Sequence, residues 1–311
     1  MCCLFGIMDY GNTLTQKRKH SILNVLATEC EERGTDATGI SYLKGNSIRI
    51  YKRPIAAHKL NLVVPHSSPL IMGHTRMQTQ GDKRINKNNH PFPGKAGRDD
   101  FALAHNGVLM NDVTLRRSFN LPGTDIETDS YVAVQLIENY GELSFDSLKF
   151  MAEQLKGSFT FTVMDKKNAL YIVKGSNPIC LYHIPLLGCY LYASTENILK
   201  KALSNAGLKK ERFTKIPITD GDILKLNPDG TIEKSRFNFI DSYRWEDVFS
   251  GEDIAEKDSE YLDLLKCYCP SFGVDPRTVD QLYSEGFIPE EIEEIISYPY
   301  RLEYYEYCSD F

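Results

Sequence analysis

The order of strand-like and helix-like segments most limits what the first 240 residues of this chain can fold into. Nine short segments rich in apolar, β-branched or aromatic residues are predicted strands; they lie at 3–8, 39–43, 48–52, 70–75, 101–105, 158–164, 169–173, 189–194 and 222–226. Four segments with apolar residues at one-face helical spacing are predicted helices; they lie at 15–33, 129–139, 144–155 and 195–204. Because strands and helices do not alternate regularly, the pattern favours antiparallel sheets covered by helices, an α+β fold.

Charge and aromatic content divide the chain near residue 240. Residues 241–311 hold 19 of the 42 Asp and Glu residues and 5 of the 36 Lys and Arg residues, a net charge of −14, which leaves +8 on residues 1–240. The same tail carries 14 of the 34 aromatic residues. We therefore predict one domain over 1–240 and an acidic, aromatic-rich helical extension over 241–311.

The aromatic residues of the tail favour an ordered unit that packs on the domain or on a partner. Helices are predicted after the Asp-Pro pair at 275–276 and from Pro289 onwards. Docking requires most of five side chains to be buried: Tyr261, Tyr268, Phe272, Tyr283 and Phe287. The alternative is a solvated acidic extension.

The rest of the composition excludes several classes of protein. A hydrophobic content of 42% and a charged content of 25% exclude a wholly disordered chain and a collagen. No secretory signal is recognisable, and the longest apolar run, at 181–193, falls short of the ~18 residues that a membrane helix needs. The eight cysteines lack a metal-binding spacing. We expect a reducing cytoplasm, buried thiols at Cys30, Cys180 and Cys189, no metal and no cofactor.

Two further expectations follow from charge. The overall net charge of −6 argues against a nucleic-acid partner, and no membrane partner is expected. The stretch 82–100 has almost no apolar content and is rich in Lys, Arg, Asn and Gly, so we predict a mobile surface loop there.

The second residue is a candidate nucleophile. An N-terminal cysteine combines a thiol with pKa about 8.5 and an α-amine with pKa about 7.7–8.0, so the amine can serve as the base for its own thiol. This chemistry requires removal of Met1, which the small size of Cys2 favours. The alternative is that Cys2 is a small buried apolar residue.

Three polar positions beside predicted strands or helices are further candidates. Arg76 follows a strand and suits bidentate capture of a carboxylate, or it is a surface ion-pairing arginine. The Asn106 amide and the Gly107 N–H could form a two-donor oxyanion hole, or the pair is a hairpin turn. The segment ETDS at 127–130 precedes a helix, where an ordinary N-cap is the alternative.

Taken together, these segments resemble the class II glutamine amidotransferases, whose N-terminal glutaminase domain is shared by glucosamine-phosphate synthase and amidophosphoribosyltransferase. The resemblance covers about residues 2–240 and rests on an ordered set of motifs: MCCLFG at 1–6, RGTD at 33–36 with Gly39, GHTRMQTQG at 73–81, HNGVLMN at 105–111, ETDS at 127–130, GSFTFTVMD at 157–165, ASTE at 193–196 and DGDI at 220–223. It implies an N-terminal-nucleophile hydrolase fold, a four-layer α/β/β/α sandwich of two antiparallel sheets.

The resemblance also implies roles for six residues. Three are catalytic: Cys2 is the nucleophile with its own α-amine as base, and Asn106 and the Gly107 N–H stabilise the oxyanion. The others bind the amino-acid end of glutamine. Arg76, helped by Thr79, takes the α-carboxylate, and Asp129, helped by the Gly107 carbonyl, takes the α-ammonium.

The implied activity is hydrolysis of L-glutamine to glutamate and ammonia through a Cys2 thioester. The sequence contains no Ser-Gly-Gly-x-Asp-Ser ATP-pyrophosphatase loop, and the tail is too short for a sugar-isomerase domain. We therefore expect ammonia to pass to a separate synthase chain. The alternatives are a free-standing amidohydrolase of glutamine or a γ-glutamyl compound, and a catalytically silent glutamine sensor. Homo-oligomerisation remains open.

Overall fold

Two antiparallel β-sheets carry the candidate residues. The structure, a computed structural model, describes residues 2–239 and 261–297 except 264, 268, 271 and 288. The strands are β1 Cys3–Asp9, β2 Ala37–Lys44, β3 Ser47–Arg53, β4 Leu70–Arg76, β5 Phe92–Ala96, β6 Asp99–Leu109, β7 Gly157–Asp165, β8 Leu170–Lys174, β9 Cys180–Ile184, β10 Cys189–Ala193, β11 Thr214–Ile216, β12 Asp222–Leu226 and β13 Ile232–Arg236. One sheet has the order β11-β9-β10-β1-β4-β2-β3 and the other β13-β12-β8-β7-β6-β5.

Helices cover the outer face of each sheet. They are α1 Gln16–Glu29, α2 Asp112–Ser118, α3 Tyr131–Tyr140, α4 Phe145–Gln154 and α5 Glu196–Asn205. The tail separately contains α6 Arg277–Ser284 and α7 Pro289–Ser297. Side-chain caps start several of them: the Thr15 hydroxyl accepts from the Arg18 N–H, and Ser144 and Ser147 form a capping box.

Strand β1 shows how the layers arise from the sequence. Its side chains alternate between the two faces of the sheet, as the pleat requires. Cys3, Phe5 and Ile7 pack in the core beneath α1 and α5, whereas Leu4 and Met8 pack between the two sheets. A third core lies beneath α3 and α4 on the six-stranded sheet. The predicted four-layer α/β/β/α sandwich is confirmed.

Several elements differ from their predicted bounds. The first helix ends at Glu29, and β6 continues past residue 105 to Leu109. The apolar run at 181–193 forms the β9–β10 hairpin, because Pro185 opens a short 3₁₀ turn inside it. The strands β5, β9, β11 and β13 and the helix α2 are not predicted from the sequence pattern; β11 and β13 are exposed edge strands with little apolar content.

The prediction of a mobile surface loop over 82–100 is wrong. Asn88, Asn89 and Phe92 are fully buried there, and β5 pairs with β6. The two asparagine side chains exchange hydrogen bonds with other protein groups, so their polarity does not require contact with water. The expected buried thiols at Cys30, Cys180 and Cys189 are confirmed.

The chain divides into two compact units, Met1–Asp241 and Ser242–Phe311. In the second unit, α6 and α7 contact each other, and the apolar residues on them are buried: Val279, Leu282, Ile292, Ile295 and Ile296. Of the tail aromatics expected to be buried, Tyr261 is buried, Phe272 and Phe287 are half-buried, Tyr283 is 40% exposed, and Tyr268 lies outside the described residues. The described part of the tail thus buries mainly aliphatic side chains, and docking stays a prediction.

In the parts of the chain that the structure describes, no helix is both long and apolar enough to cross a membrane.

A buried histidine cluster lies between the sheets. The His74 Nε2–H on β4 donates to the His105 carbonyl oxygen on β6 at 2.9 Å, and the His90 and His74 rings lie 4.2 Å apart. Burial lowers the pKa of His74 and of His105 to about 3 and that of His90 well below its ordinary value. All three rings are therefore neutral at physiological pH.

This cluster predicts a loss of stability in acid. A lowered folded-state pKa means that the stabilisation is present above the unfolded pKa, near 6.5, and is lost as the pH falls below it. Each of these histidines should remove about 2 kcal/mol of unfolding free energy between pH 7 and pH 5. In urea unfolding between pH 7 and pH 5, His90→Leu should therefore lose about 2 kcal/mol less unfolding free energy than the wild type.

Phe92→Leu is the matched control for this experiment. It alters a neighbouring ring that does not titrate, 4.3 Å from His90, so its pH dependence should equal that of the wild type. If His90→Leu also retained the full wild-type pH dependence, a neutral His90 in the folded state would be wrong.

Candidate active site

The pairing of β1 with β4 brings the start of the segment MCCLFG beside the arginine of the segment GHTRMQTQG. Strand β1 pairs with β4 so that Cys3 lies opposite Thr75, and Cys2 therefore follows opposite Arg76. Cys2 is 9% exposed, its Sγ donates to the Met77 carbonyl oxygen at 3.4 Å, and its own carbonyl accepts from Arg33 Nε at 3.0 Å. Because side chains alternate along a strand, the Cys2 thiol faces the second sheet and the Cys3 thiol faces α1.

Burial has the largest effect on the pKa of the Cys2 thiol. It raises the pKa of Cys2, while the positive charge of Arg76 lowers that pKa and the negative charge of Asp129 raises it further. Both charges therefore act on the sulfur. A thiol with a raised pKa is protonated at neutral pH and needs a base before it can attack a carbonyl carbon.

The RGTD segment at 33–36 holds the end of β4 in place. A Cβ on Gly34 would lie 2.5 Å from the carbonyl carbon of Arg76. The Asp36 N–H donates to the Arg76 carbonyl oxygen at 2.9 Å, and its carboxylate accepts from the Gln78 N–H at 2.8 Å. The motif thus fixes the backbone on both sides of the arginine.

The Arg76 guanidinium is a buried, fixed cation. It is 3% exposed; one terminal nitrogen donates to Asn89 Oδ1 at 2.6 Å, and the other donates to the carbonyl oxygens of Gln80 at 2.6 Å and Gly81 at 2.9 Å. Burial lowers its pKa. Within the described residues no carboxylate forms an ion pair with it, which leaves its charge available to an anionic ligand.

Asn106 and Gly107 lie within β6, opposite Thr160 and Phe159 of β7, so the hairpin-turn alternative is wrong. Asn106 is 1% exposed, and its Nδ2 has no hydrogen-bond partner among the described residues. Leaving a buried donor without an acceptor is costly, and a ligand oxygen would satisfy it. Gly107 has φ +142°, and a Cβ there would lie 2.0 Å from the Ser158 carbonyl oxygen, so this position requires glycine.

Asp129 is bound to the end of β6 and does not cap α3. Its Oδ2 accepts from the Leu109 N–H at 2.7 Å, and its Oδ1 accepts from the Ser130 hydroxyl at 3.3 Å. The helix begins at Tyr131, and Ser130, its N-cap, makes no side-chain capping bond. The N-cap alternative for this segment is therefore wrong. Burial raises the pKa of the Asp129 carboxyl above its ordinary value.

Sequence reasoning missed the groups that hold these residues. His105 Nδ1 contacts Ser130 Oγ at 2.8 Å; because the Ser130 hydroxyl donates to Asp129, the imidazole donates to Ser130. His105 therefore bonds on one side to Ser130, which bonds Asp129, and on the other side, through its carbonyl oxygen, to His74 on β4. The sequence did hold one indication of their role: His74 lies two residues before Arg76, and His105 lies one residue before Asn106.

Thr79 is half-buried in the loop after β4. A groove of about 710 Å³ is lined by residues 116, 117 and 120–127 with Lys87. It includes Glu127 but none of Cys2, Arg76, Asn106 or Asp129, so the candidate site is a different place.

Comparison with known proteins agrees with the geometry. Residues 74–201 match the family described as "Glutamine amidotransferase domain", a range that includes Arg76, Asn106 and Asp129. Glutamine–fructose-6-phosphate aminotransferase [isomerizing] of Staphylococcus aureus is 31% identical over 191 residues, 58% of this chain and 30% of that protein. The 7-cyano-7-deazaguanine synthase 2 of Sulfurisphaera tokodaii is 24% identical over 230 residues, 71% of this chain and 49% of that protein.

The chain thus spans about half the length of one of these relatives and less than a third of the other. Among solved structures, the glutamine phosphoribosylpyrophosphate amidotransferase of B. subtilis superposes with a TM-score of 0.59 at 20% identity, over 77% of this chain and 50% of that one. The resemblance drawn from the motifs is confirmed: residues 74–201 match a glutamine amidotransferase domain, and the two sheets with their helices have the fold of the solved amidotransferase.

Proposed function

We propose that this domain hydrolyses L-glutamine to L-glutamate and ammonia, with Cys2 as the nucleophile. The observation that carries the proposal is the unpartnered amide nitrogen of Asn106, buried in the strand that also bonds to Asp129 through the Leu109 N–H. A donor left free at such a place suits an oxygen that gains negative charge during the reaction.

The two ends of the amino-acid substrate need one cation and one anion. We assign the α-carboxylate to Arg76, helped by Thr79, because the guanidinium is fixed by neutral acceptors and retains its charge. The α-ammonium is assigned to Asp129 and the Gly107 carbonyl. A carboxylate with a raised pKa regains its charged form when a cation binds beside it.

The proposed chemistry begins after removal of Met1. The freed α-amine of Cys2 takes the thiol proton, and Sγ attacks the side-chain amide carbon of glutamine. Asn106 Nδ2 and the Gly107 N–H hold the resulting oxyanion. The protonated α-amine of Cys2 then gives its proton to the leaving nitrogen, ammonia departs, and a γ-glutamyl thioester remains on Cys2. Water, deprotonated by the same amine, attacks the thioester, releasing glutamate and restoring the thiol.

The acceptor of the ammonia is proposed to be a separate synthase chain. The curated relatives named above are an aminotransferase and a synthase of more than this chain's length. If glutaminase activity rises when a partner is added, this assignment is supported. A free-standing amidohydrolase would instead reach full activity alone, and a silent sensor would bind glutamine without turnover.

Separate alanine substitutions of the two adjacent cysteines test which of them is the nucleophile. Cys2→Ala should abolish glutamine hydrolysis, because no other thiol faces Arg76 and Asp129 among the described residues. Cys3→Ala is the matched control, since the Cys3 side chain packs under α1, and it should retain activity. Released glutamate is measured for both, with thermal unfolding as the check on folding. Hydrolysis surviving in Cys2→Ala would remove Cys2 from its role.

The oxyanion assignment predicts a defect in the chemical step. Asn106→Ala should lower kcat by ~10²–10³ with little change in KM, as for other single oxyanion donors. Asn111→Ala is the control: that side chain bonds the Gln154 carbonyl and the Lys156 N–H, each at 2.9 Å, away from the site. A rise in KM alone for Asn106→Ala would contradict the assignment.

A further inference from the structure

We propose that Asn89 is a positioning residue that sets the carboxylate-binding geometry of Arg76; this inference rests on the proposed glutaminase function. Asn89 is fully buried, and its Oδ1 accepts from the Arg76 guanidinium at 2.6 Å. The distance is short for an N–H···O bond, and a charged donor shortens such bonds. Asn89 therefore restrains the cation directly.

The Asn89 side chain is itself locked. Its Nδ2 donates to the Lys83 carbonyl oxygen at 2.8 Å, which leaves Oδ1 directed at Arg76. Its backbone N–H donates to the Asn86 carbonyl at 3.2 Å. An amide held from both sides cannot rotate away when a ligand enters.

Lys52 on β3 anchors the backbone beneath Asn89. The Lys52 ammonium donates to the carbonyl oxygens of Asn89, at 2.5 Å, and of Pro91, at 3.1 Å. The segment 89–91 is thereby tied to the seven-stranded sheet, the same sheet whose strand β4 carries Arg76. The donor and the acceptor of the Arg76–Asn89 bond thus share one rigid support.

The choice of an amide at this position matters for charge. Three of the five guanidinium N–H donors are taken up by Asn89, Gln80 and Gly81, all neutral acceptors. A neutral oxygen orients the cation and leaves its charge for the substrate. A carboxylate at position 89 would form a buried ion pair with Arg76 and compete with the α-carboxylate of glutamine.

Kinetics of Asn89→Asp and Asn89→Ala test the inference. Asn89→Asp should raise KM for L-glutamine by about 10- to 150-fold, the range expected when the charged contact between Arg76 and the substrate carboxylate is lost to a competing carboxylate at position 89. Asn89→Ala should raise KM by about tenfold. In Asn89→Ala, kcat should stay within about threefold of wild type, because the thiol and the oxyanion donors are untouched.

A second readout separates positioning from general damage. The rate at which iodoacetamide alkylates Cys2 does not depend on a substrate carboxylate, so it should be unchanged in Asn89→Ala, which alters no charge near the thiol. Asn88→Ala is the matched control: Asn88 is equally buried, but it bonds Asp82 and Glu127 and makes no bond to Arg76. Asn88→Ala should lower the free energy of unfolding about as much as Asn89→Ala does, but it should not raise KM selectively.

The outcomes are distinct. A loss of alkylation rate in Asn89→Ala as large as its loss of kcat, or an unchanged KM for both variants, would overturn the positioning role while leaving the glutaminase proposal standing. A wild-type chain with Met1 removed that fails to hydrolyse L-glutamine would overturn the proposed function, and the role of Asn89 with it.

Discussion

The hydrogen bond from His74 to the His105 carbonyl is the interaction on which the site depends. It joins β4 to β6 across the two sheets, two residues before Arg76 on one side and one residue before Asn106 on the other. Burial keeps the donating imidazole of His74 neutral. The packing of the sandwich core and the spacing between Arg76 and Asn106 therefore have one common cause.

The same strands explain why the site can be both buried and charged. Arg76 and Asp129 are 3% and 2% exposed, and each is held by backbone, amide or hydroxyl groups within the described chain rather than by an opposite charge. Burying unpaired charges costs free energy. That cost is tolerable where a dipolar ligand with both charges completes the arrangement, which is the physical reason for proposing an amino acid as the ligand of this site.

Much of this could be predicted from the sequence, and the failures have a common cause. Short apolar strands such as β1 and β4 and the one-face helices were recognisable because their side chains are buried by apolar contact. The segment at 88–91 was not, because its asparagines are buried through hydrogen bonds to groups distant in sequence. The hairpin alternative at Asn106 failed for a related reason: β6 is held at its end by Asp129, which local turn propensity does not register.

The most direct test is a crystal structure of the chain, with Met1 removed, after reaction with a chloroketone analogue of L-glutamine. Sulfur displaces chloride in that reaction, so the bond formed identifies the nucleophile. The account predicts one adduct on Cys2 Sγ, with the ligand carboxylate on Arg76, its ammonium on Asp129 and its ketone oxygen at Asn106 Nδ2. An adduct on Cys3, or a Cys2 adduct whose carboxylate lies away from Arg76, would contradict it.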